Sequence, residues 1–210
     1  MDDEFRLRVV FYKTETGKEP VREWLKSLPR EDRKIIGEDI KTVQFGWPLG
    51  MPLIRKLESD LWEIRSELPH PPNRTHPVHR RRWDHGALAW LYQEGAENTK
   101  ARSNAGPEQS GKTAEVVMRE EHLGSNLDDL LAEEGLLAET EAVAIKRVIA
   151  FQIAELMKQR DLSRTAMARR MDTSRATLDR LLDSSNGTVT LQTLERAALA
   201  LDKRLRIEFA

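Results

Sequence analysis

From Phe5 to Tyr12 the chain alternates, with Phe5, Leu7, Val9 and Phe11 at one set of positions and Arg6, Arg8, Val10 and Tyr12 between them. A period of two belongs to a strand with one buried face, and predicts a first strand here. The segment TETGKEP then supplies turn residues, VREWLKSLP reads as a short helix stopped before Pro29, and Ile36, Ile40 and Val43 share one face of a second helix. PLIRKL and LWEIRSEL, separated by ESD, read as a hairpin of two further strands. Three strands and two helices make an incomplete sheet whose last strand is an unpaired edge. More strand is wanted, and none convincingly comes after it.

The chain continues instead with PHPPNRTHPVHRRRWDHGALAW, which mixes Pro, His and Arg without a period, and then EGAENTKARSNAGPEQSGKTAEVV, polar and rich in small residues. The second stretch has the composition of a disordered linker, and only GALAWLY could form a short element. From Met118 the pattern recovers. NLDDLLAEEGLLAE reads as an acidic amphipathic helix, a long helix covers about 141–160, and short capped helices complete the chain.

A length of 210 residues with 39% apolar content suits two small domains. No apolar run approaches the ~18 residues of a membrane helix, and MDDEFRLRVVFY lacks the basic-then-apolar order of a signal peptide, so a cytosolic protein is expected. Cysteine is absent, which removes disulfides, thiolate metal sites and cysteine nucleophiles. The net charge of −1 conceals a segregation: residues 118–141 carry one basic and eight acidic side chains, whereas 142–210 carry 13 basic and eight acidic. An acidic arm thus precedes a basic domain, and such an arm suits docking on a basic partner.

The basic domain carries a motif. Ser163 is placed to cap RTAMARRM, whose Met167, Ala168 and Met171 face inward, with small Ala168 allowing close approach of another helix. A turn at Asp172 comes next, and Thr173 is placed to cap SRATLDRLLD, in which Leu178, Leu181 and Leu182 form the core stripe. Ser174, Arg175, Thr177 and Arg180 remain outward. Two short helices with this turn are what a helix-turn-helix requires, since the second helix must present its first turn to base edges. Arg175 suits a bidentate contact with guanine, Ser174 and Thr177 suit bases or phosphates, and Arg164, Arg169 and Arg170 suit phosphates. A fourth helix, capped by Thr190 and striped by Leu191, Leu194, Ala198 and Leu201, should close the bundle. Residues 140–210 resemble an XRE/Cro-type helix-turn-helix, and MDTSRATLDRLLD is similar to the recognition segment of HigA-type antitoxins. The resemblance implies a homodimer on operator DNA and a preceding segment, here 118–141, that binds a HigB-like toxin.

The N-terminal part has its own resemblance. VVFYKTETGKEPVREWLKSLP and GMPLIRKLESDLWEIRSEL, in that order, are similar to the first two thirds of HigB/RelE-like toxins, ribosome-dependent endoribonucleases that cut mRNA. The toxin-then-antitoxin order of such operons also matches. Lys56 and Arg65 match the family's basic strand positions, which hold RNA because phosphate binding and transition-state charge both demand cations. The family's last strands and its tail, of the form LLHGFxKKxxKTP, are absent in frame. They reappear one nucleotide over. With permitted codon choices, bases two and three of each codon plus the first of the next spell RILFTVDGGTMVLLHGFI over Thr75 to Gln93 and KKAQKTPK over Gln93 to Ala101. Trp83 with Asp84 forces GGG, and Trp90 with Leu91 forces GGC or GGT, both glycine. Val117 followed by Met118 contains TNA, so a toxin stop codon could overlap an antitoxin start.

Three weaker motifs compete with this reading. GPEQSGKT at 106–113 satisfies the phosphate-loop pattern, but NTKARSNA before it is no strand, and that loop works between a strand and a helix. His70, His76, His79 and His85 cluster without the fixed spacing of metal ligands. Arg80 to Arg82 beside Trp83 read more simply as a solvated basic patch than as a nucleic-acid contact. No cofactor or metal is expected. The fold class expected is α+β: a truncated RelE-like sheet-and-helix domain over 1–68, a disordered or out-of-frame linker over 69–117, the acidic arm over 118–141, and an all-α DNA-binding domain over 142–210. The expected function is a toxin–antitoxin fusion acting mainly as an antitoxin and autorepressor with an inactive toxin remnant. Two alternatives remain: an mRNA endoribonuclease held inactive by its tethered antitoxin, with mRNA and the ribosome as partners, and a toxin-neutralising protein without strong DNA binding.

Overall fold

The fold was described from a computed structural model, covering residues 8–46, 53–58, 61–69, 78–82, 87–91, 122–183 and 189–207. The chain divides into two compact units, residues 1–140 and 141–210. The first combines a sheet with helices and the second is helical, an α+β chain as the hydrophobic pattern implies.

In the first unit β1 (Arg8–Tyr12) leads into α1 (Pro20–Ser27) and α2 (Arg30–Gly46). Pro20 occupies the first turn of α1, where its missing N–H costs nothing, and Leu28 is extended before Pro29, which ends the helix. Val21 and Leu25 are buried one turn apart, and Ile36, Ile40 and Val43 form the buried stripe of α2 as their spacing requires. The hairpin is present as β2 (Ile54–Glu58) and β3 (Leu61–Ile64), with Ile54 opposite Ile64 and both buried. The start of the expected first strand, Phe5 to Leu7, lies outside the described residues.

Three strands join this sheet that local pattern did not supply. β4 (Val78–Arg82) and β5 (Ala87–Leu91) lie within 69–117, and β6 (Leu123–Asn126) lies within the acidic arm. The sheet has six strands in the order β2-β3-β4-β5-β1-β6, with β1 and β5 parallel and the other neighbours antiparallel. β3 is therefore not an edge, and residues 78–82 and 87–91 are sheet rather than linker. VHRRR has one apolar residue in five, so no alternation marks it as a strand; ALAWL is a short apolar run, which periodicity cannot assign to strand or helix.

Beyond β6 the acidic segment forms α3 (Leu127–Glu133) and the start of α4 (Leu137–Gln159). The single amphipathic helix expected over NLDDLLAEEGLLAE is thus broken in two. Gly135 sits at φ +63°, and its N–H and that of Leu136 donate to the carbonyls of Ala132 and Leu131, a Schellman stop that requires a left-handed residue. Leu127, Leu130, Leu131 and Leu136 are fully buried in one core with Val9, Phe11, Ile36, Ile40, Ile54 and Ile64.

The second unit contains the rest of α4, then α5 (Arg164–Arg170), α6 (Arg175–Leu182) and α7 (Leu191–Ala200). Its core unites Ile153, Met157, Met167, Ala168, Met171, Leu178, Leu181, Ala197, Ala200 and Leu201. The inward set predicted for α5 and α6 is the set observed. The stripe predicted for α7 holds in part: Leu201 is in the core and Leu194 packs against it, but Ala197 and Ala200 complete the buried face, Ala198 is half-buried and Leu191 is 64% exposed. Among the described residues no helix is long and apolar enough to cross a membrane.

Candidate nucleic-acid interface and acidic strap

In the helical unit, α5 opens on Ser163, whose hydroxyl accepts from the Ala166 N–H at 3.2 Å. It ends in a second Schellman stop. Asp172 takes the left-handed conformation, φ +49°, its N–H donates to the Arg169 carbonyl, and the Thr173 N–H donates to Ala168. The turn expected at Asp172 is therefore built by an Asp where glycine is usual, and the Nη1 of Arg196 donates to the Asp172 carbonyl at 3.2 Å. The cap of α6 differs from expectation. Ser174, not Thr173, is the N-cap, and its oxygen accepts from the Thr177 N–H at 3.1 Å, with Thr177 Oγ1 2.9 Å away. Ser and Thr are both good caps, and sequence alone left them one residue apart.

The first turn of α6 is open to solvent. Ser174, Arg175 and Ala176 are exposed, Thr173 and Thr177 half-buried, and Arg180 exposed with its guanidinium against Thr177 Oγ1 and the Ala176 carbonyl, both at 3.4 Å. Arg175 and Arg164 converge on one carboxylate: Asp179 accepts from Arg164 Nη1 at 2.8 Å and lies 3.7 Å from Arg175 Nε. Arg169 is exposed, whereas Arg170 reaches the Ala200 carbonyl at 3.5 Å and ties α5 to the end of α7. The structure thus gathers Arg164, Ser174, Arg175, Thr177 and Arg180 around one helix start and gives Arg170 a structural tie. Sequence reasoning missed Ala176, whose methyl is suited to a thymine methyl. It also missed Lys146, which is buried on α4 and donates to the Asp183 carbonyl at the end of α6. Burial lowers the Lys146 pKa, and the Asp183 carboxylate partly opposes that shift. A cation at a helix C-terminus is favourable, and this one pins the reading helix.

In the first unit, the acidic segment lies on the cations of α1 and α2. Glu133 accepts from Arg22 Nη2 at 2.7 Å and Lys26 Nζ at 2.9 Å, Arg33 pairs with Glu134, Lys34 with Glu139, and Lys41 with Asp128 at 2.5 Å. Arg30 Nη1 donates to the Glu134 carbonyl at 2.6 Å. The hydrogen bond from Lys26 lowers the Glu133 pKa, burial opposes it, and the Arg22 charge lowers it further. Arg33 also donates to the carbonyls of Leu25, Lys26 and Leu28, so it closes α1 as well as holding the strap.

Backbone pairing extends the contact. β6 runs against β1, the Lys13 N–H donates to His122 O at 2.8 Å, and the Tyr12 and His122 rings lie 5.3 Å apart. Glu19 accepts from the Ser125 N–H at 2.6 Å and the Ser125 hydroxyl at 2.7 Å. Gly124 permits this approach: a Cβ there would meet the Phe11 carbonyl oxygen at 2.8 Å and collide with Glu19 Oε1. At Gly37 a Cβ would meet Leu131 Cδ2 at 2.9 Å, so α2 also yields room to α3.

The two basic positions carried over from the toxin resemblance are not brought together. Register places Arg55 opposite Glu63 and Ile54 opposite Ile64, so alternation puts Arg65 on the Arg55 and Glu63 side and Lys56 on the side of buried Ile54. Both are exposed, and Arg65 Nε donates to Glu63 Oε2 at 2.9 Å. Arg55, which alternation could have identified, shares a face with Arg65. The phosphate-loop pattern at 106–113, His70, His76, His85 and Trp83 lie outside the described residues, while His79 and Arg80 to Arg82 fall in β4.

Comparison with known families places both halves. Residues 152–205 match the Cro/C1-type HTH DNA-binding domain, and residues 23–75 match the phage derived protein Gp49-like family. No curated protein and no solved structure matches the chain. The helical unit therefore carries a Cro/C1-type helix-turn-helix, joined to a Gp49-like segment of toxin type. Together the two matches support a DNA-binding regulator of toxin–antitoxin type.

Proposed function

We propose that the chain is a toxin–antitoxin fusion working in the cytoplasm as a HigA-like antitoxin and sequence-specific autorepressor, its N-terminal part a catalytically silent HigB/RelE-like remnant. The observation that carries this reading is the start of α6: a capped, solvent-open turn presenting Ser174, Arg175, Ala176 and Thr177, joined to α5 through the tight stop at Asp172. A dimer on a two-fold operator is implied, because one reading helix covers only a few base pairs. The test is fluorescence anisotropy of the full chain on duplexes from its own promoter and on scrambled duplex, across salt. Preference for promoter DNA with affinity falling steeply as salt rises is expected. Equal affinity for both duplexes would refute the reading.

The remnant reading draws support from the sequence between β3 and α3. β4 and β5 fall inside Thr75 to Gln93, where the neighbouring frame spells RILFTVDGGTMVLLHGFI, so the positions of sheet strands coincide with strand-like words in the other frame. An insertion or deletion between about codons 67 and 75 would produce this chain from two genes. The bases of the locus test it directly: a gene that does not encode HGF and KTP in that frame removes the frameshift.

A second reading, the tethered endoribonuclease, is favoured by the strap itself. An arm that would bind a toxin in trans lies here on its own chain's α1 and α2, at the high effective concentration of a covalent link. For the same reason the third reading, neutralisation of an intact toxin in trans, is weakened, since that toxin must displace an intramolecular competitor. Ribosome-dependent cleavage by the full chain that is lost in Arg65→Ala would move the conclusion to the tethered enzyme; no cleavage is expected.

A further inference from the structure

Among the described residues of the second unit, three cations donate to carbonyls at the ends of other helices. Arg170 on α5 reaches the Ala200 carbonyl at the end of α7, Arg196 on α7 reaches the Asp172 carbonyl at the stop after α5, and Lys146 on α4 reaches the Asp183 carbonyl at the end of α6. Arg170 and Arg196 are exposed, whereas Lys146 is 8% exposed. An ammonium taken out of water gives up hydration that a surface contact would let it keep, and the lowered Lys146 pKa records that cost.

The place of Lys146 gives the cost a use. α6 has eight residues, so it spans about 12 Å at about 1.5 Å each. Its first turn must stay open to reach base edges, so packing cannot hold it there. The helix is held by Leu178 and Leu181 in the core and at its last turn, where the Asp183 N–H donates to the Asp179 carbonyl and the Asp183 carbonyl accepts from Lys146. A tilt of about 10° about that end would carry the first turn about 2 Å sideways, whereas a recognition constellation works within about 0.5 Å. A cation also suits the negative end of the helix dipole.

We propose that Lys146 is a positioning residue for DNA recognition: its ammonium fixes the last turn of α6, and through it the angle at which Ser174, Arg175 and Ala176 meet base edges, without touching DNA. The proposal rests on the reading of the chain as a sequence-specific DNA-binding protein, and adds to it a specificity-determining side chain outside the two helices that form the reading motif.

The test uses the full chain. Lys146→Met keeps an unbranched stem and removes the ammonium, so the circular dichroism spectrum should be unchanged. Anisotropy should show promoter affinity about tenfold weaker and scrambled-duplex affinity changed less than about twofold, because non-specific binding does not need the reading angle. The slope of log affinity against log salt should stay the same, since a cation that touches no phosphate releases no counterion, whereas Arg169→Ala should lower it by about 1. Without DNA, amide exchange over Arg180 to Asp183 should be about tenfold faster or more while that of α5 is unaffected.

A slope that falls by about 1 in Lys146→Met would make the lysine a phosphate contact, promoter preference kept within about twofold would make it a packing residue, and exchange that speeds up equally throughout the unit would make it a general stabiliser. Each of these overturns the proposal and leaves the DNA reading standing. A wild-type chain with equal affinity for both duplexes would overturn the DNA reading and this role with it.

Discussion

Leu130→Ala tests whether the acidic strap is part of the first unit's core or merely rests on its charges. The Leu130 side chain is 0% exposed, between Leu127 and Leu131 at 1% each, in a cluster fed by β1, α1, α2, the β2–β3 hairpin and α3. Truncation removes the transfer energy of the lost carbons and leaves a cavity that so many fixed neighbours cannot close. The expected loss is therefore in the middle of the leucine-to-alanine range, about 3–4 kcal/mol. At a urea slope of about 1–3 kcal/mol per molar, the midpoint should fall by about 1–3 M. The readout is selective because all five tryptophans, at 24, 47, 62, 83 and 90, precede residue 141. Met167→Ala, a fully buried residue of the other cluster, should leave the tryptophan transition in place while destabilising the helical unit. If Leu130→Ala moves the tryptophan midpoint by less than about 0.5 kcal/mol, as an ordinary surface change would, the strap is not in the core and the cis-docking argument fails.

The same contacts set four other outcomes. Gly124→Ala should disrupt β6 pairing, because the new Cβ meets the immobile Phe11 carbonyl, and limited proteolysis should cut first around 120–126. Arg175→Ala should cost about 1–3 kcal/mol on promoter DNA and relax one base position, Arg169→Ala should weaken all sequences alike, and anisotropy on point-mutated duplexes separates the two. Asp179→Asn should tighten binding to every duplex, since it frees Arg164 and Arg175 from an exposed pairing worth only about 0–1 kcal/mol while deleting a negative charge beside DNA. For pH, the folded Glu133 carboxyl lies below its ordinary value, so its contribution is complete above that value and is lost as pH falls through the folded one. Tryptophan-detected stability should decline there, and less so in Glu133→Gln.

Much of the fold was legible wherever local chemistry and tertiary packing agree. The stripe Ile36, Ile40, Val43, the hairpin with Ile54 and Ile64, and the inward residues of α5 and α6 all repeat at the period of their element and are buried in it. β4, β5 and β6 were illegible for a shared reason: their placement rests on neighbours. LGSN is poor strand material, and it is held by Glu19, Lys13 and an approach only glycine allows. Leu191 was misplaced because α7 has apolar residues on two faces, and a stripe read from sequence cannot tell the buried face from the exposed one. At the reading helix the residues were found but not their geometry. The cap moved by one, Asp179 proved to hold two of the arginines, and Lys146 and Arg196, far away in sequence, support the helix and its turn.

The charge segregation acquires a physical meaning once the partners are known. Four of the eight acidic side chains of 118–141, Asp128, Glu133, Glu134 and Glu139, pair with Arg22, Lys26, Arg33, Lys34 and Lys41 of α1 and α2, so those cations add little to any field the first unit presents to nucleic acid. In the second unit the described pairings are local: Arg160 with Asp202, and Arg164 and Arg175 with Asp179. The cations of α1 and α2 are thus quenched by the chain's own acidic segment, while Arg169, Arg175 and Arg180 stay exposed at the reading helix and the helix before it. That contrast supports the regulator reading proposed above.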